Sequence, residues 1–149
     1  MKRKKIAVVS DHAGYFLKQK LLSCLIKEKE DIKDLGSFIE DNADDYPEFG
    51  HLLAKAVSSG DYDLGISICG TGNGINMTAN KHQGIRSALC WNEEIGRLAR
   101  AHNDANICAL PARYITESEA CLIVKTFLNA SFEGGRHKRR IEKIHLKMY

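Results

Sequence analysis

The chain has 149 residues, 44% hydrophobic and 28% charged, with a net charge of +3, which is the composition of one ordinary globular domain near the commonest domain size. With 12 Gly, 2 Pro and 5 scattered Cys, it is not collagen-like, disordered or a disulfide scaffold, and no apolar run nears the roughly 20 residues of a membrane span. Residues 2–5 carry four positive charges and residues 136–149 carry six positive and one negative, leaving 12 basic against 18 acidic side chains between them, a body of net charge −6.

Met1-Lys-Arg-Lys-Lys5 passes into an apolar run without a small-residue cleavage site, so neither secretion nor membrane insertion is expected and the expected compartment is the cytoplasm. Lys5–Ser10 reads as a strand, Asp11-His-Ala-Gly14 as a turn, and Tyr15 to Glu30 as a helix, because Leu17, Leu21, Leu22, Leu25 and Ile26 recur at helical spacing. Ile32 to Leu35 is a weaker strand, Gly36 to Pro47 a polar acidic loop, and Glu48 to Ser59 a second helix begun near Pro47. Asp63–Cys69 is a third strand that runs into Gly70-Thr-Gly-Asn-Gly74 and a helix of about two turns ending by Lys81. Ile85 to Cys90 makes a fourth strand, and Asn92 to Ala101 a helix. The turn His102-Asn-Asp104 then leads to a fifth strand, Asn106 to Leu110, and Thr116 to Asn129 is a further helix. After Gly134-Gly135 comes a basic helical tail, Arg136 to Met148, carrying Arg136-His-Lys-Arg-Arg140. Five β-α units in series specify a parallel sheet covered on both faces, hence a doubly wound, Rossmann-like three-layer α/β sandwich spanning 1–149 as one domain.

In such sheets ligands bind beyond the carboxyl ends of the strands, so Asp11-His12 and Cys69–Gly74 are the first places to look. The glycine loop has neither the Gly-Lys-Ser/Thr ending of a nucleotide P-loop nor the third spacing of the dinucleotide fingerprint. It does offer a row of backbone N–H groups at a helix start, suited to an anion or a developing oxyanion. Cys69 at its mouth is in a setting that favours thiolate, although the last residue of a strand is also a natural place for an inert buried thiol. The absence of a C-x-x-C pair leaves five thiols expected to be reduced. His12 and His102 each sit beside Asp or Asn, a surrounding that suits ring-nitrogen hydrogen bonds but also simple exposure. The six histidines lack metal-ligand spacing, so no metal site is expected. The basic tail is compatible with a nucleic-acid patch, a phosphate clamp or a solvated face, and the acidic body disfavours a polyanion.

Ser10-Asp-His-Ala-Gly14, Asp45-Tyr-Pro47, Ile68-Cys-Gly-Thr-Gly-Asn-Gly-Ile75, Ala79-Asn-Lys81, Gly84-Ile-Arg86, Arg100-Ala-His-Asn-Asp-Ala-Asn106 and Glu133-Gly-Gly-Arg-His137 together closely resemble the type B ribose-5-phosphate isomerases, in order and over essentially the whole chain. Galactose-6-phosphate isomerase subunits share parts of the pattern. The resemblance implies cofactor-free interconversion of ribose 5-phosphate and ribulose 5-phosphate through a cis-enediolate, after the furanose ring is opened. It makes Cys69 the base between C2 and C1, with Gly70, Gly72, Asn73 and Gly74 in the enediolate-stabilising loop and Thr71 aiding proton transfer on oxygen. It makes His102 the ring-opening acid/base, Asp11 the holder of sugar hydroxyls and Asn103 a substrate ligand. His12, Arg113, Arg136 and Arg140 form the phosphate end, and Tyr46 lines the pocket. Some relatives use a glutamate where this chain has Ile75, so Cys69 with Ile75 resembles the thiolate branch, while Asn76-Met77 departs from the small residues often found there. A 6-phosphohexose such as allose or galactose 6-phosphate is the alternative substrate, and a phosphate- or nucleic-acid-binding module the alternative without catalysis.

Topology adds a constraint. The helix after strand four returns to the amino edge of the sheet, so His102-Asn103 should lie roughly 17–20 Å from Cys69, the length of a strand of five or six residues. If both serve one sugar, as the resemblance implies, the simplest expectation is a two-fold homodimer with shared sites, which also permits a dimer of dimers.

Overall fold

The computed structural model describes residues 2–28 and 30–147. Period-two alternation builds its centre. In β1 (Lys5–Ser10), Ile6 and Val8 face one helical layer, while Ala7 and Val9 face the other. The remaining strands are β2 (Asp31–Asp34), β3 (Leu64–Cys69), β4 (Ser87–Leu89) and β5 (Ile107–Pro111), all parallel in the order β2-β1-β3-β5-β4. α1 (Tyr15–Lys27), α4 (Glu93–Asn103) and α5 (Glu117–Asn129) cover the first face, where Leu17, Leu21, Leu25, Ile123, Val124 and Phe127 are buried. α2 (Tyr46–Ser58) and α3 (Asn73–Ala79) cover the second, where Leu53, Ala54, Val57 and Ile75 pack. This is the three-layer doubly wound α/β sandwich that the sequence predicts. No described helix is long and apolar enough to cross a membrane.

The strand order reverses between β1 and β3, the place where such a sheet opens a crevice at its carboxyl edge. Asp11 and His12 leave β1 there, in a short 3-10 turn (His12–Gly14), and Cys69 ends β3 beside them.

Several boundaries differ from expectation. α2 begins at Tyr46 rather than Glu48, with Pro47 in its first turn, where a missing N–H costs no helical bond. α4 runs two residues past Ala101, so His102 and Asn103 belong to its last turn rather than to a polar turn. Asp104 takes the left-handed conformation (φ 44°) that ends the helix, and its carboxylate is held by Arg86 and Arg100 at 3.1 and 2.9 Å. α1 stops at Lys27 instead of Glu30, Lys29 lying outside the described residues, and β4 is shorter than Ile85–Cys90. The basic tail is helical only over α6 (Arg136–Ile141), although a helix to Met148 is the sequence reading. Ile141 is buried, but Ile144 and Leu146 face solvent, so no apolar face supports further turns, and like charges stack four residues apart. Met148 lies outside the described residues. Cys24 and Cys121, expected as separate thiols, are paired as a disulfide between α1 and α5, with Cα atoms 6.5 Å apart. Their sequence separation of 97 hides a proximity created only by two helices packing on the same face.

Candidate active site

The cleft at the carboxyl edge is built from four chain segments. Asp11 is buried, and its Oδ1 accepts the Gly14 N–H at 3.0 Å, capping the turn after β1; burial pushes its carboxyl above the usual range. His12 follows, and Asp44 from the acidic loop accepts both its backbone N–H (3.0 Å) and its Nδ1–H (2.7 Å) through one oxygen. That hydrogen bond to Asp44 holds the imidazolium of His12 to a higher pH than an ordinary histidine. Cys69 is 4% exposed at the end of β3, on the face shared with α2 and α3.

Beyond Cys69 the glycine loop turns into α3 through Gly72, whose φ of 75° suits glycine, and Thr71 Oγ1 accepts the Asn73 N–H at 3.2 Å. Tyr46 at the start of α2 lies flat over Gly74, where a Cβ would come within 2.4 Å of the ring, so this close approach requires glycine. Arg113 follows β5, and its N–H donates to the Gly70 carbonyl at 3.0 Å, fixing it at the rim. Asp11, His12, Tyr46, Cys69, Thr71 and Arg113 line a cleft of about 190 Å³, with Gly70 and Gly74 in its wall; Gly72 and Asn73 complete the turn without lining it. A sulfur, two potential cations, a carboxyl and a row of amides therefore converge on one small volume.

Four of the expected site residues lie elsewhere. His102 and Asn103 end α4 at the amino edge of the sheet, where Arg86 donates to the Asn103 carbonyl and Asn106 leads into β5. Arg136 and Arg140 lie on α6, which packs on α4, and so do not join His12 and Arg113 in one phosphate end within this chain. The reason is the crossover itself, since a helix that joins parallel strands must end opposite the edge where it began. At that second cluster His102 stacks on His137, with ring centroids 4.1 Å apart, and Glu133 Oε2 is 3.6 Å from Nε2 of each.

The family model described as Ribose/Galactose Isomerase matches residues 6–144. The chain belongs to the ribose/galactose isomerase family. Within that family it is 49% identical over 141 residues to a probable ribose-5-phosphate isomerase B of Mycoplasma genitalium, covering 93% of this chain and 92% of the relative. A solved ribose-5-phosphate isomerase B from Clostridium thermocellum superposes with a TM-score of 0.91 at 48% identity, covering 94% of each chain. The structure of the Mycoplasma genitalium enzyme with bound ribulose-5-phosphate gives a TM-score of 0.90 at 47% identity, covering 94% of this chain and 93% of that one.

Three partners of the expected site histidines escape sequence reasoning. Asp44 is one acidic residue among several in the loop, and only the folded loop shows that it alone meets His12 among the acidic side chains there. Glu133 and His137 stand inside a quoted string, but nothing in their spacing reveals that they would flank His102, 31 and 35 residues away.

Proposed function

We propose that this protein interconverts ribose 5-phosphate and ribulose 5-phosphate. The observation that carries the reading is the Cys69 thiol placed in one cleft with the glycine loop and the cationic pair His12 and Arg113. The open-chain aldose would bind with its phosphate on His12 and Arg113, which offer charge-assisted donors, and with its hydroxyls on Asp11. The Cys69 thiolate takes the proton from C2, and the C1=O π electrons move to oxygen, giving a cis-enediolate facing the Gly70–Gly74 amides. Thr71 aids the transfer of a proton from O2 to O1, and Cys69 returns its proton to C1, leaving the ketone at C2. The protons and electrons balance without a metal or an organic cofactor. A phosphorylated sugar crosses a bilayer poorly because its charge is costly to desolvate, which supports a cytoplasmic role.

The site is completed by a second copy. The cleft in one chain is smaller than the about 300 Å³ at which ligand pockets ordinarily begin, and His102, to which the family resemblance gives ring opening, lies outside it. His102, Asn103, Arg136 and Arg140 stand unused at the far edge of the sheet. Phe38 and Ile39, in the loop that also carries Asp44, are 70% and 67% exposed. In a two-fold dimer each subunit lends its α4 end and α6 to the other's cleft, so the phosphate meets Arg136 and Arg140 there. A dimer of dimers is compatible with the same contact.

Turnover measured side by side on ribose, allose and galactose phosphates after exhaustive chelation tests the reading. Ribose 5-phosphate is expected to be turned over best and without added metal. A preference for a hexose phosphate supports the alternative substrate, and a metal requirement contradicts the scheme.

Asp44 provides a second test. In the wild type KM for the phosphorylated sugar should stay low below the raised pKa of His12 and climb as pH rises through it. In Asp44→Asn the climb should begin lower, near the ordinary imidazole value of 6.5, with kcat changed less than KM. The sign follows from linkage, since a raised folded-state value means the favourable proton is lost on the alkaline side. Coincident KM profiles for the two proteins would remove Asp44 from phosphate binding.

A further inference from the structure

Glu133 has no part in the scheme above, yet it is tied to it. Its backbone N–H donates to the Ala101 carbonyl at 2.9 Å, which fastens the loop after α5 to the last turn of α4, one residue before His102. Gly134 and Gly135, both at positive φ, then turn the chain directly into α6, so that His137 is laid on the His102 ring with planes 10° apart. One carboxylate oxygen faces Nε2 of both imidazoles, each at 3.6 Å. His137 is 9% exposed, whereas the Glu133 side chain is half exposed, at the open side of the pair.

Burial disfavours a charge on His137, and the neighbouring His102, Arg136 and Arg140 add to this while Glu133 opposes it. The Glu133 carboxylate, at the Nε2 edge of both rings, is the counter-charge to the pair. We infer that Glu133 is a positioning residue for ring opening, its carboxylate at the Nε2 edges fixing the stacked His102–His137 pair so that His102 can give a proton to the sugar in the partner's cleft. The inference rests on the ring-opening role of His102 proposed above. In that step His102 gives its proton to O4 as the C1–O4 bond breaks, the C1 hydroxyl loses its proton to water, and the free aldehyde and an O4 hydroxyl result.

The two substrates separate this step from the rest. Ribose 5-phosphate is a furanose that must open, whereas ribulose 5-phosphate bears its phosphate on O5 and reacts as the open chain. A protein defective only in ring opening can still convert the ketose and release an aldehyde that closes in solution. Glu133→Gln, which keeps shape and removes charge, is expected to lower kcat from ribose 5-phosphate by about tenfold or more, with KM within about twofold. The single-turnover rate at which ribulose 5-phosphate is consumed under excess enzyme, which precedes ring closure, is expected to stay within about twofold, and the melting temperature to be unchanged. His102→Asn, assayed in parallel, should show the same asymmetry more strongly. Equal fractional changes in ribose 5-phosphate turnover and in single-turnover ribulose 5-phosphate consumption for Glu133→Gln, while His102→Asn is asymmetric, would overturn the role of Glu133 alone. Symmetric behaviour of His102→Asn would instead overturn the ring-opening assignment on which the inference rests.

Discussion

Replacing Cys69 by Ala is expected to lower turnover in both directions by about 10²–10⁴-fold while KM for ribose 5-phosphate changes little. In the proposed scheme the thiol acts on the C2 and C1 protons, which move only in the transition states, whereas the phosphate is bound by His12 and Arg113 and the hydroxyls by Asp11, which line the same cleft. Cys69 is 4% exposed and packs beside Ile75, so its truncation removes one sulfur from a wall that the glycine loop and Arg113 hold in place. Cys69→Ser makes the comparison sharper. It restores the volume but replaces the thiol by a hydroxyl, a far weaker acid, and should be nearly as slow as Ala. An alanine variant with wild-type turnover would sink the thiolate mechanism, and one that loses affinity in step with turnover would show that the thiol binds rather than reacts.

The sheet was largely legible from residue pattern because its signals are local. β-branched runs such as Lys5–Ser10 and Asp63–Cys69, each followed by an amphipathic segment, admit only the doubly wound arrangement. The carboxyl-edge half of the site was equally accessible, since Asp11, His12 and Cys69 directly follow strands, and a doubly wound sheet brings such residues to one edge. What escaped depends on tertiary packing. The end of α4 is decided by Asp104 in the left-handed region under two arginines, one of which, Arg86, is 18 residues distant. The tail lost its outer turns because Ile144 and Leu146 found nothing to pack on. The Cys24–Cys121 disulfide and the Asp44–His12 and Glu133–His102 pairs join chain segments whose adjacency no periodicity encodes. Family resemblance supplied roles for His102, Arg136 and Arg140, but it was the direction of the chain through α4 that set them apart from Cys69 within one subunit.

That separation is what the shared-site account turns on, and subunit mixing tests it most directly. Cys69→Ala and His102→Ala proteins, each impaired alone with ribose 5-phosphate, are combined in equal amounts under conditions that exchange subunits, with exchange verified by mass, and assayed on that substrate. Each mixed dimer then holds one site with both residues intact and one lacking both. Random exchange makes about half the dimers mixed, so activity should recover to roughly a quarter of the wild-type value. Activity that stays at the level of the separate variants after verified exchange would show that the two residues serve a single subunit, and would contradict the account.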